Sequence, residues 1–147
     1  MVCSSLIATR SGTGDLPDAC ALLKFIKPEA ESAALRAWRE GLSADTELVT
    51  SELAGLEITR TLLRAGVDHQ QVPYFAGQAV RGVYLVDLTS TVLGRAMAYR
   101  TARLGSLDAI HLASAEPFRS ELSEFVTYDK ELTSAAEELG FPVLSPA

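Results

Sequence analysis

Long apolar runs are missing from this chain, and so is any excess of positive charge. Nothing in it approaches the ~20 apolar residues that a membrane span needs. The opening "VCSSLIATR" lacks the long apolar stretch of a secretory signal. Cysteine is scarce: Cys3 and Cys20 have neither metal-ligand spacing nor a CxxC pattern, which favours a reduced compartment. The expectation is a cytoplasmic protein with no membrane partner. Aromatic residues make up only 7% while alanine and leucine dominate, so helices should prevail. Lysine and arginine number 13 against 19 acids, and a net charge of −6 opposes holding nucleic acid by bulk electrostatics. No internal repeat, low-complexity tract or linker appears. What is present is a globular composition, 48% hydrophobic and 22% charged, in 147 residues, enough for one domain.

Helical and strand-like patterns alternate. Helices are predicted over Asp18–Ile26, Glu29–Leu42 with Pro28 beside its first turn, and Glu52–Ala65 closed by Gly66. A weaker helix, Asp68–Val80, contains Pro73, which should end or kink it. Further helices cover Thr91–Arg103, Leu107–Ala115 and Lys130–Leu139, the last closed by Gly140. Strands are expected at Glu47–Ser51, Val83–Leu88, Glu124–Tyr128 and Phe141–Leu144. Strands spaced by such helices imply a parallel sheet covered on both faces, with ligands bound outside the carboxyl ends of the strands.

That rule selects certain acids. Asp129 follows the strand EFVTY, Asp18 opens the first helix, and Asp108 lies in the first turn of SLDAIHLA behind a Ser106 cap. Taken alone, each reads first as a helix cap. Glu57 differs, because it sits in mid-helix among Leu53, Ala54 and Thr61, with Arg60 as its helical neighbour for an ion pair. Glu52 reads as a surface acid favoured by the helix dipole, and Asp87 as a cap for the helix after Thr89. Four converging carboxylates repel unless a cation fills the site. Oxygen ligands suit Mg²⁺ or Mn²⁺, and such an ion can activate water against a phosphodiester. Spacing alone does not show that the acids converge.

Four ordered segments carry a family likeness: "DACALLKFIKPEAES", "VTSELAGLEITRTLLR", "LGSLDAIHLASA" and "FVTYDKELTSAAEELGFPVLSP". In them the chain resembles the PIN-domain family and, within it, the VapC toxins of VapBC toxin–antitoxin pairs. The resemblance implies a three-layer α/β/α sandwich with a mainly parallel central sheet, formed by residues 15–147 after an atypical lead of residues 1–14. It implies a Mg²⁺-dependent endoribonuclease, with Mn²⁺ as a substitute, acting on tRNA or rRNA. It also implies a homodimer inhibited by a VapB-type antitoxin. On the matching positions Asp18, Glu57, Asp108 and Asp129 hold the metal and Thr127 supports them, while Lys24, Arg60 and Arg103 are candidates to meet RNA phosphates.

The lead departs from the family. Where an apolar strand normally enters the first aspartate stands "SGTGDLP", and Pro17 is foreign to a central strand. A strand rebuilt from Ser5–Thr9, an altered N-terminus and a drift toward inactivity all remain open. Two other functional readings stand beside the nuclease. One is a degenerate PIN module that binds antitoxin or RNA without cleaving. The other is a receiver- or phosphatase-like α/β domain, whose required aspartate after an apolar strand and later lysine are not evident. His111 reads as a packed, hydrogen-bonded histidine, and Trp38 as packing or interface.

Overall fold

A computed structural model describes residues 6–10, 32–120 and 122–147, with backbone alone for 6–10, 122 and 123. Strand β1 (Leu6–Arg10) is followed by helix α1 (Ser32–Glu40), β2 (Thr46–Ser51), α2 (Leu53–Arg64), α3 (Val72–Ala79) and β3 (Val83–Val86). Then come α4 (Ser90–Ala98), α5 (Ser106–Ala115), a 3₁₀ turn at Glu116–Phe118, β4 (Leu122–Val126), α6 (Lys130–Glu138) and β5 (Val143–Leu144). The predicted helix Asp18–Ile26, Cys3 and Cys20 lie outside the described residues.

The sheet order is β3-β2-β1-β4-β5. β2 and β3 are parallel, as are β4 and β5, and β1 runs antiparallel to both of its neighbours. Four strands therefore point one way and their carboxyl ends share one edge. The central strand opposes them, pairing Leu6 with Thr50 and Arg10 with Thr46. The strand sought in SLIAT thus exists, one residue further on.

Alternation along β4 assigns the two faces. Phe125 joins a core with Leu112 of α5, Ile58 of α2 and Leu132 of α6, whereas Val126 meets Leu35 of α1 on the other face. In β2, Leu48, Val49, Thr50 and Ser51 are all buried, the signature of a strand covered on both sides. Helices thus flank both faces of the sheet. None among the described residues is long and apolar enough to cross a membrane.

Local chemistry accounts for where the helices start and stop. Gly66 (φ 85°) ends α2: its N–H bonds to Leu63 O at 3.1 Å and the Val67 N–H reaches Leu62 O at 3.1 Å. Gly140 (φ 84°) closes α6 in the same way, with Phe141 N–H on Ala136 O at 3.0 Å. Both are Schellman stops, which favour a residue without Cβ at the left-handed position. Pro73 behaves otherwise than its neighbours suggest. Asp68 Oδ1 accepts from the Gln70 N–H in a turn, and α3 then begins at Val72 with Pro73 in its first turn, where a missing N–H costs nothing. The proline starts the helix instead of breaking it.

The helix predicted over Thr91–Arg103 is also shorter than expected and stops at Ala98. Tyr99 turns extended, and its hydroxyl donates to Glu116 Oε2 at 2.8 Å. Arg95 Nε lies 3.4 Å from the same oxygen. Burial first, then the Glu116 carboxylate, holds the Tyr99 phenol above its ordinary 10.0. The folded protein therefore keeps a proton that the unfolded chain would release, so this contribution is complete below about pH 10 and fades as pH rises through the higher folded value. Tyr99→Phe is expected to cost about 1 kcal/mol at neutral pH and to flatten the alkaline limb of Tm between pH 9 and 11. An unchanged limb in the variant would assign it to other groups.

Candidate active site

Glu57 is one turn inside α2, behind the carboxyl end of β2. The helix buries Leu53, Ala54, Glu57, Ile58 and Leu62, so the acid lies on the core-facing stripe. It is 8% exposed, and its Oε1 lies 2.6 Å from His111 Nε2. The other oxygen, Oε2, is buried with no hydrogen-bond partner among the described residues. Its neighbour across the helices is thus His111 of α5, where helical spacing had pointed to Arg60.

Asp108 and His111 are both on α5. Asp108 is 8% exposed, and its Oδ2 turns toward Gly105. The helix begins one residue earlier than a Ser106 cap requires: Gly105 takes the cap position, with no side-chain cap bond. Asp129 does what an aspartate at a helix start does by default. Its Oδ1 accepts from the Leu132 N–H at 2.9 Å and caps α6. Fully buried Thr127 supports it from the end of β4, its Oγ1 accepting from the Asp129 N–H at 3.1 Å.

Glu52, read as a surface acid, has a more definite task, since its carboxylate accepts the Leu88 N–H and ties the end of β3 to the start of α2. Thr89 itself caps α4, accepting from Val92 N–H at 3.2 Å, which removes that task from the exposed Asp87. Trp38 is half-buried and donates to Glu124 Oε2 at 2.9 Å, a packing role.

The structure therefore brings Glu57 together with His111, on a helix that also holds Asp108, and places Asp129 at the carboxyl end of a parallel strand. Asp18 and Lys24 lie outside the described residues. Among the described residues no three His, Cys, Asp or Glu side chains gather closely enough to hold a metal ion. A cavity of ≈ 420 Å³ opens beside Glu57, lined also by Leu53, Leu56, Arg60, Thr61, Arg64 and Leu107. Arg60 is thus placed at the site, and Arg103 is in the exposed segment before α5. Arg64 was missed, although its spacing of four from Arg60 puts the two on one helix face. An apolar wall with two exposed arginines beside a buried acid suits an anionic ligand that also carries apolar surface.

The PIN domain family model matches residues 16–138. Among similar proteins, Ribonuclease VapC47 of Mycobacterium tuberculosis (strain CDC 1551 / Oshkosh) is 40% identical over 136 residues, covering 88% of this chain and 94% of that protein. Ribonuclease VapC35 of the same strain is 37% identical, covering 86% and 92%. A solved chain from a toxin–antitoxin complex of Klebsiella pneumoniae shares the fold at a TM-score of 0.58 with 17% identity, covering 92% of this chain and 98% of its own. With the family match spanning most of the sheet and both acid-bearing helices, this chain belongs to the PIN-domain family.

Proposed function

We propose that the protein is the toxin of a type II toxin–antitoxin pair, a divalent-metal-dependent endoribonuclease that hydrolyses tRNA or rRNA. The observation that carries this reading is Glu57, a carboxylate buried on the contact between α2 and α5 with Oε2 unsatisfied among the described residues. A buried anionic oxygen without a donor is costly, and a cation relieves that cost. The donor set is all carboxylate oxygen, which suits Mg²⁺ or Mn²⁺ rather than a soft metal. Glu57, Asp108 and Asp129 would have to draw in around the ion together with Asp18, since among the described residues no three such side chains are gathered closely enough without it. A bound divalent cation supplies water activation and neutralises charge developing on the phosphate.

The remaining tasks belong to the chain itself. Thr127 fixes the backbone of Asp129, α5 holds the buried Asp108 in its first turn, and Arg60 with Arg64 meets phosphates flanking the cleaved bond. These local cations answer the objection raised by the net charge. The names of the relatives support an RNA substrate and a VapB-type antitoxin as partner; a homodimer in the cytoplasm completes the reading.

Total tRNA and rRNA incubated with the protein should yield discrete fragments in Mg²⁺ or Mn²⁺ and none with chelator. Cleavage that persists in chelator would overturn the metal-dependent reading. The second reading, a degenerate module, is favoured by the lack of a three-donor cluster among the described residues. It predicts antitoxin binding with no cleavage under any metal.

A further inference from the structure

The four-carboxylate reading leaves His111 without a task, yet this side chain is only 1% exposed and lies 2.6 Å from a candidate metal ligand. A carboxylate that holds a cation only accepts hydrogen bonds, so on that reading His111 Nε2 is the donor in this contact. The far sides of both groups are buried as well: Nδ1 of the ring and Oε2 of Glu57 have no hydrogen-bond partner among the described residues. A ring protonated on Nε2 alone leaves a bare lone pair at Nδ1. Structural buried pairs normally satisfy their outer atoms. This one is complete on the shared side and open on the other.

We propose that His111 is a positioning residue: its Nε2–H holds Glu57 Oε1 and thereby turns Oε2 toward the cation. The inference rests on the reading of Glu57 as a metal-holding carboxylate. Asp108 and His111 are three residues apart on α5 and share a face. One helix thus presents the first acid directly and aims the second, which belongs to α2. The spacing of the two carboxylates becomes a property of α5 and does not depend on how a long glutamate side chain samples its rotamers. Partners that orient a ligand in this way commonly change metal affinity 10–100-fold when removed.

The test is calorimetric titration of Mn²⁺ into RNA-free protein, with denaturant midpoints recorded for every variant. Wild type should bind. His111→Gln, whose amide N–H can reach the place of Nε2, should bind nearly as well, and His111→Leu should bind about 10–100-fold more weakly. In RNA cleavage the leucine variant should lose kcat while KM for RNA stays near wild type. Should His111→Leu not fold, His111→Asn replaces it, because its shorter amide mimics Nδ1 and falls short of Glu57. Wild-type affinity in His111→Leu or His111→Asn, or equal loss in His111→Gln, overturns the positioning role. Absence of Mn²⁺ binding by wild type overturns the carboxylate site itself and the inference with it.

Discussion

Asp108→Asn is expected to reduce metal-dependent RNA cleavage by about 10²–10³-fold or more, the scale on which one electrostatic contact to a transition state is lost. The substitution keeps shape, exchanges one acceptor oxygen for an amide NH₂ and removes one negative charge from a side chain that is 8% exposed. The first turn of α5 accommodates either group, so the fold should survive. Tm without metal should lie within a few degrees of wild type, since a change of about 1 kcal/mol moves a domain of this size by only ~2–4 °C. The Mg²⁺- or Mn²⁺-induced rise in Tm should vanish, because a neutral amide is a poor ligand for a hard cation. Cleavage assays and metal-dependent melting curves on the same samples check both parts. Asp108 acting only as a helix-dipole acid makes the opposite forecast: a lower Tm with cleavage intact.

Phe125→Ala should be the most damaging single change to stability, by about 3–5 kcal/mol. Phe125 is fully buried in β4, between the strands it pairs with. Its ring packs against Phe141 with centroids 5.5 Å apart, and its N–H bonds to Pro142 O at 2.6 Å. Phe141 is also the residue that follows the Gly140 stop of α6, so one aromatic pair joins the helix terminus and the approach to edge strand β5 to its neighbour β4. Removing the ring leaves a void that flanking strands close poorly. The expected fall in Tm is roughly 10 °C, and Phe125→Leu should recover most of it. A loss below about 1 kcal/mol in denaturant titration would show that this pair does not anchor the core.

The legible parts of the fold were those with local causes. Gly66 and Gly140 close α2 and α6 as their positions suggest, because a left-handed stop is decided within five residues. VYLV lies where β-branched and aromatic content placed it, while the strand before Asp129 runs over Leu122–Val126, two residues ahead of the expected Glu124–Tyr128. What escaped has distant causes. The antiparallel direction of β1 depends on its pairing with β2 and β4, and nothing within Leu6–Arg10 encodes it. Tyr99 leaves its helical pattern for a hydrogen bond with Glu116, which outweighs the local preference.

The site divides along the same line. A glutamate on an apolar face marked Glu57 from the sequence, and the only ion-pair partner that spacing offered was Arg60, near along the helix, whereas His111 is near only across it. His111 itself was read correctly as a packed, bonded histidine, but its partner was invisible without α5 laid beside α2. The placement of Asp18 lies outside the described residues.

Seven of the ten residues of α5 are buried, and polar Asp108, His111 and Ser114 are among them. Its amides should therefore open to solvent only with the whole molecule, giving hydrogen-exchange protection near the global unfolding free energy. β3 is an edge strand whose residues are all partly or fully exposed, and its neighbour α4 buries only Val92, so both should exchange far sooner. The helix that carries Asp108 and His111 would thus be the last element to loosen. Inactivation by local melting of α5 should therefore be about as expensive as unfolding the domain.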